Sequence, residues 1–126
     1  MMTNKIYGIG TDILQKNRIE KICSNEAKTI AFAKKILTED EMIVFESKTD
    51  KTSYLAKRFC GKEAIAKAMQ SGIGQNFSFK DASILNNPSG APHIKFSEKF
   101  SALNFAAQIS LSDEKTHCLA FCIVFC

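Results

Sequence analysis

Lys62, Glu63 and Lys67 put two cations and a carboxylate on one stretch, Tyr54-Leu55-Ala56-Lys57-Arg58-Phe59-Cys60-Gly61-Lys62-Glu63-Ala64-Ile65-Ala66-Lys67-Ala68-Met69, that reads as a helix. At helical spacing Glu63 falls in line with Ala56 and Phe59 before it and Ala66 after it, the stripe expected to pack inward. An isolated ionised carboxylate in apolar surroundings is costly enough to shift its pKa or to recruit a partner. Lys62 and Lys67 are the nearby cations, and a divalent metal ion is the other candidate. A purely structural reading competes: Glu63 and Lys67 have the favourable i,i+4 orientation for a helix ion pair.

The elements that must position these groups alternate between helix and strand. Lys5 to Leu14 reads as a strand running into a turn, and Arg18 to Ile22 opens an amphipathic helix. Thr38-Glu39-Asp40-Glu41 is a capping box that starts a helix through about Lys48. Thr52 or Ser53 is expected to cap the long helix, which ends near Met69 at Ser71-Gly72-Ile73-Gly74. Phe77, Phe79 and Ile84 have strand character, Asn86-Asn87-Pro88-Ser89-Gly90 is a turn, and His93 to Phe96 is the returning strand. Phe100 to Phe105 reads as a short helix. Ile109 to Ser112 and Cys118 to Phe125 then form a closing hairpin around Asp113-Glu114-Lys115. The pattern is α+β, with a small antiparallel sheet, hairpins and one long central helix, and its length predicts a single domain over residues 1–126.

Composition narrows the function classes. No run is apolar and long enough to span a bilayer and no signal-like hydrophobic region opens the chain, so a cytoplasmic protein with no membrane partner is expected. The five cysteines agree with that: Cys118, Cys122 and Cys126 recur every four residues in an apolar run and read as one face of a buried strand. Neither His93 nor His117 completes a zinc-like set. The formal charge of +4 lies early, because Lys5, Lys16, Arg18, Lys21, Lys28, Lys34 and Lys35 outnumber Asp12, Glu20 and Glu26. Such a surface attracts an acidic partner or is simply a solvated helix face. No nucleic-acid partner is expected, because Trp, an Arg-rich stripe and a basic-aromatic repeat are all lacking.

Two separated motifs then become specific together. Gly8-Ile9-Gly10-Thr11-Asp12-Ile13 with Arg18-Ile19, followed by Arg58-Phe59-x-x-Lys62-Glu63-Ala64-x-x-Lys67-Ala68, resembles the holo-[acyl-carrier-protein] synthase family of short 4′-phosphopantetheinyl transferases. The resemblance continues through Ser71 to Gly74, Phe79-x-Asp81, Asn86 to Pro92 and Ile109 to Ser112. It implies the 4′-phosphopantetheinyl transferase fold and transfer of 4′-phosphopantetheine from coenzyme A to a serine of apo acyl carrier protein, in fatty acid biosynthesis, releasing adenosine 3′,5′-bisphosphate. Phosphoryl-type chemistry on a pyrophosphate needs charge neutralisation and alignment, and a magnesium ion held by few carboxylates supplies both.

The resemblance also assigns roles. It makes Asp12 and Glu63 the magnesium ligands and, with Lys67, the catalytic residues; a bare structural role for Asp12 is to cap the turn before Arg18. Lys62 and Lys67 are expected to meet phosphates, and Arg58 to support the site or reach a phosphate. Gly72 and Gly74 let backbone approach the coenzyme, and Gly90 with Pro92 matches the family's coenzyme-binding hairpin. Arg18, Lys21 and Lys28 match the surface that recognises the acidic carrier protein. A homotrimer with sites between neighbouring subunits is implied as well. Two departures stand out: Gln108 replaces a histidine and Gln70 a glycine common in the family. The general base is left open between a metal-bound water and Glu63 acting through water. The rival reading is a non-catalytic module that binds coenzyme A or a carrier protein.

Overall fold

The computed structural model describes residues 5–126. Chain order is β1 (Ile6–Gln15), α1 (Lys16–Ile22), α2 (Glu26–Ile36), α3 (Glu39–Ser47), α4 (Lys51–Ala68), β2 (Ala82–Asn86), β3 (Pro92–Phe96), α5 (Glu98–Ser101), β4 (Ala106–Asp113) and β5 (His117–Phe125), with a 3₁₀ turn over Phe79–Asp81 before β2. The α+β architecture expected from the sequence is present, but the strands form two antiparallel sheets. β5 lies between β1 and β4 in one, and β2 pairs with β3 in the other.

The chain begins and ends in the same sheet, which is why the N-terminal motif can meet the long helix. Asp12 stands opposite Ala120 and Leu14 opposite Cys118. Alternation turns Gly8, Gly10, Asp12 and Leu14 towards α4 and leaves Ile9, Thr11 and Ile13 on the other face. The two glycines are required sterically. An added Cβ at Gly8 would lie 2.0 Å from the Ala68 carbonyl oxygen, and one at Gly10 2.1 Å from that of Ala64. Strand backbone therefore rests directly on the second half of α4, where Ala64, Ala66 and Ala68 keep the helix surface low.

Helix α4 is wrapped on nearly all sides, by the three-stranded sheet, by α1 to α3 and by the β2–β3 hairpin. Of its residues from Tyr54 to Ala68 only Lys67 is exposed. The capping box at Thr38 and Glu41 forms as expected. The cap of α4 does not: Asp50, not Thr52 or Ser53, accepts the Ser53 amide at 3.0 Å, because its shorter reach from outside the first turn meets that orphan donor. The strand expected from Phe77 starts only at Ala82. Ser78 and Asp81 cap each other and wind Phe79–Asp81 into a 3₁₀ turn. Phe77 instead joins Phe96 and Phe100 in an aromatic cluster under the hairpin. Helix α5 ends at Ser101, so Phe105 lies beyond it and closes the cluster from the approach to β4.

Cys118 and Cys122 are buried as the strand pattern implied, whereas Cys126 is exposed, since β5 ends at Phe125. Burial pushes the Cys122 thiol up to about 12 and that of Cys60 higher still. Among the described residues no helix is long and apolar enough to cross a membrane.

Candidate active site

Asp12 and Glu63 reach the seam between β1 and α4 from opposite sides. Asp12 projects from the helix-facing side of its strand, 17% exposed, and its Oδ1 accepts a hydrogen bond from Lys67 Nζ at 3.2 Å. Lys67 Nζ also donates to the Thr11 carbonyl at 2.9 Å, which holds the lysine over the strand. Glu63 is half-buried, and burial raises its pKa above the usual carboxylate value. The negative charge of Asp12 raises it further, while Lys67 and Arg18 oppose the shift. Two carboxylates thus share one electrostatic environment with Lys67 and Arg18. Lys67 bridges to Asp12 rather than making the i,i+4 pair with Glu63.

Among the described residues no three His, Cys, Asp or Glu side chains gather closely enough to enclose a metal. A donor set of two acids at a half-exposed seam fits a hard divalent cation that keeps water and takes substrate oxygens, and it does not fit zinc. Asp12 and Glu63 could hold such an ion, which would relieve the cost of burying the Glu63 carboxylate beside Asp12.

Lys62 corrects the sequence reading. It is wholly buried, and its ammonium is fully engaged: with Glu41 Oε1 at 2.5 Å, the Ile36 carbonyl at 2.7 Å and the Phe79 carbonyl at 2.8 Å. It has no donor left for a phosphate. Burial lowers its pKa and the Glu41 carboxylate pushes back. The expected phosphate contact needed Lys62 at the surface, and α4 is covered at that height. Glu41, also 0% exposed, is the partner the sequence reading missed; it was recognised only as half of a capping box.

Arg58 is buried too, at 4% exposed, with its guanidinium 4.5 Å above the Tyr54 ring. Its Nε is a buried donor without a protein partner. A cavity of about 180 Å³ lies beside it, lined also by Lys48, Lys57, Ser53, Asn86 and one carboxylate, Asp50, which is engaged in capping α4. Three cations around one hollow, with an orphaned guanidinium N–H among them, make a place for an anion. These lining residues come from α4, the loop before it and the end of β2, so only folding unites them.

Gly72 and Gly90 have positive φ, +68° and +92°, and sit in open turns where an added Cβ would meet nothing. Gly74 is equally open. Pro92 opens β3 directly after the turn. Gln70, the residue in place of a glycine, adopts φ 65°, and its side-chain amide donates to the Tyr7 carbonyl at 3.2 Å, tying the end of α4 to β1. Arg18, Lys21 and Lys28 are exposed on α1 and α2. Gln108 is exposed on the outer side of β4, away from the face that carries Asp12. A larger hollow of about 400 Å³ between Lys16, Glu20, Asp50 and Lys115 lacks Asp12, Glu63 and Lys67 in its lining.

The chain is similar to known proteins along nearly its whole length. Positions 8–122 match the model of the 4′-phosphopantetheinyl transferase superfamily. A holo-[acyl-carrier-protein] synthase of Vesicomyosocius okutanii is 43% identical over 124 residues, covering 94% of this chain and 96% of its own. The crystal structure of holo-[acyl-carrier-protein] synthase from Neisseria meningitidis superposes with a TM-score of 0.85 at 36% identity, over 95% of this chain and 98% of that one. The Helicobacter pylori enzyme of the same name, in complex with coenzyme A, superposes at 0.79 with 35% identity, over 92% and 98%. With its two motifs joined at one seam and this likeness along nearly its whole length, the chain belongs to the 4′-phosphopantetheinyl transferase superfamily.

Proposed function

We propose that this chain transfers 4′-phosphopantetheine from coenzyme A to the serine of an apo acyl carrier protein, with magnesium as cofactor, as a single domain over residues 1–126 whose first four lie outside the described residues. The observation that carries this reading is the pair of carboxylates, Asp12 and Glu63, sharing one seam with Lys67 beside them. Magnesium bound there supplies charge neutralisation and alignment of the coenzyme's pyrophosphate. Asp12 and Glu63 hold the ion from two rigid elements. Lys67, 54% exposed and anchored to Thr11, turns its remaining donor capacity to a phosphate oxygen. Arg58, with Lys48 and Lys57, takes a further phosphate of the coenzyme in the cavity where its Nε lacks a partner. The open turns at Gly72, Gly74 and Gly90, with Pro92, give backbone access to the rest of the coenzyme.

The remaining roles follow from the surface. Arg18, Lys21 and Lys28 dock the acidic carrier protein, and Arg18 is close enough to bear on the charge of Glu63, so docking brings the carrier to the carboxylates. The outer face of the three-stranded sheet leaves Ile9 61%, Ile13 68%, Leu119 46% and Phe121 39% exposed, an apolar patch that supports assembly into a homotrimer. The enzyme works in the cytoplasm, in fatty acid biosynthesis.

The test is to incubate the protein with coenzyme A and an apo acyl carrier protein, with magnesium or with chelator, and to weigh the carrier by intact mass spectrometry. Gain of one phosphopantetheine with magnesium alone is the expected result. No gain beside an active control enzyme would favour the non-catalytic binding module.

A further inference from the structure

The buried Glu41–Lys62 pair does more than fill space. Glu41 Oε1 accepts the Thr38 amide at 2.9 Å and meets Lys62 Nζ at 2.5 Å, while Oε2 accepts the Ile84 amide at 2.8 Å. Lys62 adds the carbonyls of Ile36 and Phe79, and the Tyr54 hydroxyl donates to the Glu41 carbonyl at 3.3 Å. One ion pair therefore ties α4 to the end of α2, the start of α3, the 3₁₀ turn and β2. On the opposite side α4 meets the sheet through Ala64, Ala68 and the bare backbone of Gly8 and Gly10, and the directional bonds across that seam come from the half-exposed Lys67, the exposed Gln70 and the weakly donating Cys60 thiol. Apolar burial is non-directional, whereas four backbone partners around one buried ammonium–carboxylate pair, Ile36, Thr38, Phe79 and Ile84, fix an angle.

Glu63 is the next residue along from Lys62. Turning α4 by about 15° would move a carboxylate roughly 6 Å from the axis by about 1.5 Å. A misplacement near 1 Å is enough to cost about a hundredfold in rate at a reacting centre.

We propose that Glu41 and Lys62 are positioning residues for the transfer reaction: their buried pair sets the rotation of α4, and so the spacing between Glu63 and Asp12 that a divalent cation requires. The inference rests on the metal reading of Asp12 and Glu63 given above.

The test measures Mn²⁺ affinity by electron paramagnetic resonance, with coenzyme A present and carrier protein absent, alongside the transfer rate. Wild type is compared with Glu41→Gln, with the double variant Glu41→Gln/Lys62→Met, with Asp12→Asn, and with Val124→Ala, a buried sheet position at the far end from Asp12. Glu41→Gln keeps shape and the acceptor for one amide, so it reports even where the double variant does not fold. The expected result is a loss of Mn²⁺ affinity of about tenfold or more and of rate by about 10- to 100-fold in the pair variants. Val124→Ala, matched to them for loss of melting temperature, keeps both. Folded pair variants with wild-type Mn²⁺ affinity would overturn the positioning role and leave the metal reading standing. A wild type that binds no Mn²⁺, or binds it unchanged in Asp12→Asn, would overturn both.

Discussion

Two lysine–carboxylate pairs lie little more than one turn apart on α4, and they do opposite things. Lys62 and Glu41 are both 0% exposed, and every strong donor and acceptor of the pair is satisfied by backbone from four other elements. Lys67 and Asp12 are 54% and 17% exposed, and beside them Glu63 keeps a pKa raised by burial and by its acidic neighbour. The first cluster is closed and has nothing left to offer a ligand. The second is open, and its Glu63 carboxylate has no ion-pair partner within the described residues. Burial alone does not mark a functional charge; an unfinished set of partners does.

The closed pair breaks with the larger effect on stability. Lys62→Ala strands the Glu41 carboxylate in the core, and chemical denaturation should show a loss of about 3–5 kcal/mol. A loss under about 1 kcal/mol would mean that the pair is solvated in solution. Gly10→Ala attacks the seam itself, because the new Cβ would overlap the Ala64 carbonyl. It should cost about 1–3 kcal/mol and, by pushing β1 off α4, lower the transfer rate by about 10- to 100-fold. Stability falling without the rate would separate the seam from the chemistry.

The smallest effect sharpens the contrast most. The folded pKa of Glu63 lies above its unfolded value, so the folded chain binds that proton more tightly. The resulting stabilisation is complete below the ordinary carboxylate pKa and is lost as pH rises through the folded value. Glu63→Gln removes the dependence, so without metal it should melt higher than wild type near pH 7, by on the order of 0.5 kcal/mol after solvent screening. The advantage should vanish near pH 4. Equal melting at both pH values would show that neither burial nor Asp12 raises the Glu63 pKa in the fold.

Much of this was legible in the chain, for reasons that also explain the misses. Glu63 was visible because it interrupts an apolar phase, and the capping box at Thr38 because its signal is local. Lys62 was misread as a phosphate contact because a charged helix residue is ordinarily accessible, and α4 is covered by two sheets and three helices. Glu41 as its partner could not be read at all, since the contact spans 21 positions and depends on how α3 meets α4. Ser78 and Asp81 did carry a readable capping signal for the 3₁₀ turn, overshadowed by the strand character of Phe77 and Phe79. The steric need for Gly8 and Gly10 and the cationic hollow at Arg58 belong to tertiary packing and left no local trace.

The open cluster is tested most directly by Asp12→Asn, with the rate of carrier modification and the melting temperature read from one preparation. The account predicts a rate lowered by about 10²- to 10³-fold at saturating magnesium, with the melting temperature unchanged or raised. Transfer at the wild-type rate by a folded Asp12→Asn protein would contradict it.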